Sequence, residues 1–380
     1  MRAIIVGFGN AAYNIDNDGR SIIYSHYLAL RKLNINILCA IDPVFTPVEG
    51  LDLPVYSNIN SVPCQDLNNI DILAICVPTI NTYEVLLDSI DLIKPKLVML
   101  EKPVAFSEEE FDLIVNYLNF NKIRFVINYQ RNWDKNFDLL TDFLKGEEIE
   151  RISIFTSTAY YQSASHVFER LFSFFSANLF PEILYSVKDS KNIRVVNNNN
   201  DYGGFVLLKL GDVICDINAR SSNPNYFYLE IIIKTQDHMY VYDEGNLVLK
   251  IYDRVIGNDF HPVGITRLKE VRQIKFQKPE WILGAYNALL DKNYDNLNLI
   301  KRAKKYLKLL SYQINLRVIA NSKDHMNFYS MLKFLFKKVL DKNRILLDQP
   351  IADHCFRIGT GASVKNIDFG KINSPSILIN

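Results

Sequence analysis

Two short runs in the first third of the chain carry groups suited to cofactor chemistry. Gly7-Phe8-Gly9-Asn10-Ala11-Ala12 is a GxGxxA that directly follows an apolar run, Ala3-Ile4-Ile5-Val6. After a strand, the first glycine permits a tight turn and the second lets the backbone approach a pyrophosphate. The N-terminus of the helix that follows favours the charge of that group. An acid, Asp42, ends a second apolar run, Ile35–Ile41. Its carboxylate can accept hydrogen bonds from an adenosine ribose and would repel a 2′-phosphate. Pro43-Val44-Phe45-Thr46 after it contain no Arg or Lys to hold that phosphate, so NAD is expected as cofactor and NADP is disfavoured. Asp42 lies about 30 residues past the glycines, where about 20 is usual. The excess matches a polar insertion, Tyr13–Arg20, suited to a longer loop over cofactor phosphates or substrate. The second run is Glu101-Lys102-Pro103, at the end of Leu97-Val98-Met99-Leu100. Open α/β sheets bind ligands at that edge, and a lysine there can meet a hydroxyl or carbonyl in the cofactor cleft. Proline restrains the lysine to extended geometry, and the bond between them can be cis. Each run also has a bland reading, as a phosphate-free turn and as a surface loop.

These residues need strands to position them. Apolar runs at Ala3–Val6, Ile35–Ile41, Ile70–Val77, Leu97–Leu100 and Arg124–Asn128 alternate with helical spacing at Ser21–Leu33, Glu84–Ile93 and Ser107–Leu118. Ser107 followed by Glu110 is a capping box. Strands joined by helices predict a parallel sheet covered on both faces, an α/β Rossmann domain over residues 1–130. Residues 131–321 differ. A helix is expected over 134–145 and another over His166–Phe175. Strands are expected at Arg151–Tyr160, Gly204–Leu210, Asp212–Ala219, Tyr226–Lys234, Met239–Asp243, Leu247–Tyr252 and Val271–Phe276, and helical spacing returns over 279–320. Close succession of strands predicts an α+β domain with a largely antiparallel sheet. Residues 322–380 form a C-terminal extension in which Met326–Leu340 reads as an amphipathic helix.

Composition narrows the classes. Lys+Arg is 43 against Asp+Glu 42, a formal net charge of +1, which argues against a nucleic-acid partner. The five cysteines form no CxxC pair, so no zinc ribbon or disulfide framework is expected. Five of the histidines, His26, His238, His261, His325 and His354, lack metal-like spacing and read as structural or surface groups; no metal is expected. No apolar stretch is long enough to span a membrane, and the first residues run into a strand without a signal peptide, so a cytoplasmic location is expected.

The order of motifs resembles a family. GxGxxA after the first strand and an acid after the second are followed by Ile75-Cys76-Val77-Pro78-Thr79 and then Val98-Met99-Leu100-Glu101-Lys102-Pro103-Val104. The set is similar to the Gfo/Idh/MocA oxidoreductases, the glucose-fructose oxidoreductase and inositol dehydrogenase group. Asn128-Tyr129-Gln130-Arg131-Asn132-Trp133 is similar to the segment by which such proteins leave the Rossmann domain. The resemblance covers residues 1–135 closely and 136–320 more loosely. It implies hydride transfer between a nicotinamide and a sugar or polyol carbon, with a nucleotide sugar as favoured substrate and a homodimer or homotetramer as assembly. By analogy Gly7, Phe8, Gly9, Asn10, Ala11, Asp42, Val77, Pro78 and Glu101 bind cofactor, and Lys102 does so while also serving in proton transfer.

The family's second signature is an Asp-xxx-His at the start of a helix. Here Gln162-Ser163-Ala164-Ser165-His166 matches it, with His166 as the histidine and Gln162 where the acid is expected. Glutamine can hydrogen-bond a sugar hydroxyl but cannot act as a base. The departure puts weight on Lys102 and His166 as the proton-transfer pair, with nearby Tyr161 beside them. His166 also has a bland reading, as a histidine packed under its helix. Arg131 and Trp133 are substrate contacts at the domain junction, or else a bridging ion pair and a buried aromatic. Two other readings of the scaffold stay open: an imine reductase, and a non-catalytic NAD(H)- or sugar-binding protein.

Overall fold

The computed structural model describes residues 1–16, 22–45, 50–63, 67–157, 164–176, 178–196, 199–219, 229–258, 261–321, 355–358 and 376–379. Tyr161, Gln162 and the expected helix at Met326–Leu340 lie outside the described residues. The chain divides into two compact units, Met1–Asn315 and Leu316–Asn380.

The first unit opens with six short parallel strands: β1 (Arg2–Val6), β2 (Asn36–Ile41), β3 (Val55–Tyr56), β4 (Ile72–Ile75), β5 (Leu97–Leu100) and β6 (Arg124–Ile127). Their order is β3-β2-β1-β4-β5-β6, the Rossmann arrangement predicted from the apolar runs. All four residues of β4 and of β5 are buried, as strands covered on both faces require. The order reverses between β1 and β4, so a crevice opens at their carboxyl ends.

Helices α1 (His26–Lys32), α2 (Thr79–Ile93) and α3 (Glu108–Phe120) flank this sheet. The Ser107 hydroxyl accepts the Glu110 amide at 3.1 Å while Glu110 Oε2 accepts the Phe106 amide at 3.0 Å. The cap signature is thus realised, with the reciprocal bond one residue upstream of a standard capping box. The helix expected from Ser21 is shorter than predicted, because Ser25 caps it by accepting the Leu28 amide.

After a 3-10 turn at Gln130–Trp133 and α4 (Lys135–Phe143), the chain builds an eight-stranded sheet. Its strands are β7 (Ile149–Thr156), β8 (Glu182–Val196), β9 (Asn199–Leu210), β10 (Val213–Ala219), β11 (Leu229–Thr235), β12 (His238–Asp243), β13 (Val248–Asn258) and β14 (His261–Lys275). Only β7 and β10 pair in parallel, so the sheet is mostly antiparallel, as predicted. Alternation sets its two faces. Leu229, Ile231 and Ile233 are buried, while Lys234 is exposed. Helix α5 (Ala164–Ser173) follows β7. The predicted strand at 151–160 therefore ends early, at Thr156. Strand β8 has no counterpart in the sequence reading. It is an edge strand held by pairing with β9 rather than by burial, and its Leu184, Tyr185 and Val187 are exposed.

The helical stretch at 279–320 is two helices, α6 (Trp281–Leu290) and α7 (Leu297–Asn321). Helix α6 is the hub of the unit. It packs on the 3-10 turn, on α1 and on strands β5 and β6, burying Trp281, Ile282, Leu283, Ala285, Tyr286 and Leu289. The second unit shows a two-stranded parallel pair, β15 (Cys355–Ile358) with β16 (Ser376–Ile379).

Helix α6 approaches the 3-10 turn so closely that Gly284 has no room for a side chain. A Cβ there would lie 2.5 Å from Cβ of Trp133 and 3.1 Å from its Cγ. The stem of Trp133 cannot rotate away, so Gly284→Ala is expected to destabilise the protein by about 1–3 kcal/mol, although alanine is the better helix former. A urea unfolding midpoint at or above that of the wild type would contradict this packing.

Candidate active site

The glycine loop lies at the reversal of strand order. Gly7 takes φ +84°, and a Cβ on it would fall 2.7 Å from the Cys76 carbonyl carbon and 2.9 Å from Val77 N. Only glycine lets this turn pass the end of β4. A Cβ at Gly9 would meet nothing within 4 Å, so the backbone there is open to a ligand. The amides of Gly9, Asn10 and Ala11 donate to no acceptor among the described residues. Free amides in a turn of this kind form a cradle for an anion. The residues therefore fit a dinucleotide pyrophosphate.

Phe8 is used differently. Its ring is fully buried, stacked on Tyr13 at 4.9 Å and edge-on to Tyr27 and Phe45. Its amide donates to Asp42 Oδ2 at 2.7 Å. Phe8 thus anchors the loop and leaves cofactor contact to its neighbours. Asp42 also accepts the Val44 amide on Oδ1 at 2.9 Å, and each of its oxygens keeps a lone pair for a ribose hydroxyl.

The polar insertion leaves after Ala12. The Ala11 and Ala12 carbonyls accept the His26 and Tyr27 amides at 3.3 and 2.9 Å, so the loop is pinched at its base. Asp16 accepts the Tyr24 and Ser25 amides, and Tyr24 packs edge-on against Trp281 of α6 at 5.6 Å.

Glu101 follows β5 and Lys102 follows it, with a cis Lys102-Pro103 bond. Thr79 Oγ1 donates to the Pro103 carbonyl at 2.8 Å, tying this loop to the start of α2 next to Val77 and Pro78. Glu101 Oε1 accepts from His26 Nε2 at 2.8 Å and from Asn128 Nδ2 at 2.5 Å, and Oε2 accepts the Lys102 amide at 3.2 Å. Burial pushes the Glu101 carboxyl up. The His26 hydrogen bond, the charge of Lys102 and the Asn128 hydrogen bond outweigh it, so the group stays below the usual range. His26, expected to be structural or at the surface, is fully buried against the motif acid.

His166, near the start of α5, is buried and packs edge-on to Tyr129 at 6.2 Å. Its Nδ1 has no partner among the described residues. Burial, then the charges of Lys102 and Arg131, hold its pKa well below the ordinary 6.5, so it is neutral at neutral pH. The structure thus brings Lys102, His166 and Arg131 within electrostatic reach of one another. Asn128 Oδ1 and Trp281 Nε1 are also buried without partners among the described residues.

Arg131 and Trp133 serve the junction. Arg131 donates from Nε and from Nη2 to the two Glu244 oxygens at 2.6 Å each, and its guanidinium lies 5.2 Å from the Trp281 ring centroid. Both partners are nearly fully buried. This is the bridging ion pair, and it occupies the fork that a substrate phosphate would need. Trp133 packs under Gly284.

No protein-family model and no curated protein matches the chain. Solved structures do. UDP-N-acetylglucosamine 3-dehydrogenase GnnA from Acidithiobacillus ferrooxidans is 13% identical with a TM-score of 0.59, the match covering 82% of this chain and 96% of that one. A mutant of KijD10, a 3-ketoreductase from Actinomadura kijaniata in complex with TDP-benzene and NADP, is 11% identical with a TM-score of 0.60, over 82% and 96%. A super-repressor mutant of Gal80p from Saccharomyces cerevisiae is 14% identical with a TM-score of 0.59, over 82% and 95%. The fold is that of the Gfo/Idh/MocA oxidoreductases. In this Gfo/Idh/MocA fold the carboxyl edge of the parallel sheet carries the glycine loop, Asp42 and the Glu101-Lys102-Pro103 loop, and His166 faces Lys102 electrostatically from α5.

The burial of neutral His166 has a consequence for stability. Its folded pKa lies below the unfolded 6.5, so below that pH the unfolded chain binds a proton that the folded chain refuses. Stability is full above about 6.5 and falls as the pH drops, by up to about 1.4 kcal/mol per unit. Urea unfolding compared at about pH 7.5 and about pH 5.5 should show a smaller loss for His166→Gln than for wild type. Equal losses would mean that His166 titrates normally.

Proposed function

We propose that the protein is an NAD-dependent oxidoreductase that moves hydride to or from a carbinol carbon of a sugar or nucleotide sugar. The observation that carries this reading is His166: a neutral, buried imidazole whose Nδ1 has no partner among the described residues, within the field of Lys102 at the carboxyl edge of the Rossmann sheet. Buried polar atoms without partners are rare, and those at a site mark where a ligand atom belongs. Two proteins of similar fold, a UDP-N-acetylglucosamine 3-dehydrogenase and a 3-ketoreductase, support the substrate class.

When bound, the nicotinamide ring supplies or accepts the hydride. The free amides at Gly9, Asn10 and Ala11 hold the pyrophosphate, and Asp42 takes the adenosine ribose. Val77 and Pro78 wall the cleft, and Glu101 fixes the loop beside the nicotinamide end. In the oxidising direction neutral His166 accepts the hydroxyl proton through Nδ1, and the Lys102 ammonium stabilises the developing alkoxide. In reduction protonated His166 returns the proton to the alkoxide, which the Lys102 ammonium again stabilises. Tyr161 and Gln162 precede α5 and are assigned to substrate hydroxyls. We assign residues 1–130 to the cofactor, 131–321 to substrate and assembly, and 322–380 to an extension.

The assembly is a homodimer or homotetramer through the open face of the eight-stranded sheet. Phe155, Phe205, Leu207, Ile232 and Val241 share that face by register and are half-exposed. Light scattering on the purified chain should give two or four times the mass of 43.9 kDa. A monomer at micromolar concentration would remove this part of the reading.

Cofactor binding is testable without a substrate. NADH should stabilise the wild type by about 2.7 kcal/mol at 100 times its dissociation constant, read as a thermal shift, with a smaller effect of NADPH. Lys102→Ala should keep the shift and lose about 10²- to 10⁴-fold in turnover of the sugar substrate found by screening. No shift with either nucleotide, in folded and cofactor-free protein, would overturn the oxidoreductase reading.

A further inference from the structure

His26 lies in none of the motifs that mark the cofactor cleft, yet it joins three elements there. Its Nε2 is 2.8 Å from Glu101 Oε1 and its Nδ1 is 2.8 Å from the Tyr286 hydroxyl. His26 and Tyr286 are both fully buried. Tyr286 belongs to α6, His26 to the first turn of α1 where the insertion ends, and Glu101 to the loop that carries Lys102.

A neutral His26 fixes the direction of every hydrogen bond in this chain. An ionised carboxylate only accepts, so Nε2 of His26 must carry the proton. In a neutral ring Nδ1 then has a lone pair and needs a donor. Tyr286 supplies it, since burial and the nearby Glu101 carboxylate keep its hydroxyl protonated. The chain runs in one direction, from Tyr286 O–H to His26 Nδ1 and from His26 Nε2–H to Glu101. Asn128 donates to the same Glu101 oxygen, and the Lys102 amide donates to the other. With neither His26 nor Tyr286 open to water, this arrangement is a clamp rather than a route for protons to solvent.

We propose that His26 is a positioning residue that, as the neutral Nε2–H tautomer, locks the Glu101 carboxylate and through it the placement of Lys102, coupling the cofactor cleft to α6. The importance of that placement rests on the oxidoreductase reading of Lys102; the clamp itself does not. The groups facing His26 are Tyr286 from α6 and Glu101 from the β5 loop, with Lys102 beyond Glu101.

Two experiments on the full chain test this. Long-range proton–nitrogen NMR of the ¹⁵N-histidine protein should show one His26 ring fixed as the Nε2–H tautomer. An imidazolium or an Nδ1–H tautomer would overturn the assignment. The second compares His26→Gln with His26→Leu. A glutamine offers one donor and one acceptor, as the tautomer does, but never a charge; leucine offers neither. Competitive acetylation with acetic anhydride, read by peptide mass spectrometry against the exposed Lys96, reports the surroundings of Lys102. Released by leucine, Glu101 is free to turn onto the Lys102 ammonium, and labelling should fall about tenfold, as for a new charge-assisted contact of ordinary strength. Glutamine should restore wild-type labelling. Unchanged labelling in the folded leucine variant would sink the proposal, and so would an equal loss in both variants, which would mean a charged His26. A wild type that binds neither nucleotide yet shows this labelling pattern would retain the clamp and lose the proposed activity.

Discussion

An ionised carboxylate drawn largely out of water at the end of an inner strand is stable only when hydrogen bonds fill its lone pairs. Glu101 sets that constraint on the first half of the molecule. It takes one donor from α1, one from the residue after β6 and one from its own loop. None of these can move independently. The insertion must return the chain to its base at Ala11 and Ala12 so that His26 lands on Glu101, whatever the loop between them does. β6 must pair with β5 in register so that Asn128, one residue past the ladder, reaches the same oxygen. Tyr286 extends the demand to α6. The acid of the Glu101-Lys102-Pro103 motif therefore serves the architecture as much as the cofactor.

A second buried charge pair carries the demand across to the large sheet. Arg131 follows β6 and Glu244 follows β12, and their two short bonds join the two sheets. Removing one partner of such a pair typically costs about 3–5 kcal/mol, because the other charge is left buried and alone. Arg302 of α7 adds a related link, donating to Glu169 of α5 and to Asn132 of the 3-10 turn. Glu169 is fully buried, so α5, which carries His166, is fixed from behind by α7. Lys102 and His166 sit on different sheets' connections, and these ion pairs are what keep them in each other's field.

The legible parts of the sequence were those with local signals. A strand buried on both faces reads as an unbroken apolar run, and a glycine that must pass another backbone reads as glycine. Those signals gave the parallel sheet, its order of motifs and the insertion. β8 escaped because its Leu184, Tyr185 and Val187 are exposed, so the strand shows no buried face to read, and backbone pairing with β9 leaves little mark on composition. His26 escaped for a different reason. Its partners lie 75 and 260 positions away, so neither pairing has a local trace. Arg131 was legible as a junction residue, but its partner Glu244, 113 positions on, decided between substrate and bridge. Phe8 shows the same limit: its place in the loop is a motif position, while its burial depends on Tyr13 and Phe45.

A two-domain Rossmann scaffold does not select its own function, since a dehydrogenase, a ketoreductase and a repressor all share this fold. A protein that only binds a dinucleotide needs the open backbone at Gly9 and the acid at Asp42. It has no use for a neutral histidine held beside a lysine. Such a histidine is costly to maintain, because its buried Nδ1 lacks a hydrogen bond among the described residues. A purely structural histidine at this place would be better replaced by an apolar side chain of similar shape, which leaves nothing unpaired. The unfilled Nδ1 and the field from Lys102 make physical sense together when a substrate hydroxyl completes them. That argument stands on this chain's residues, and the proposed catalytic role rests on it against a binding role on the same scaffold.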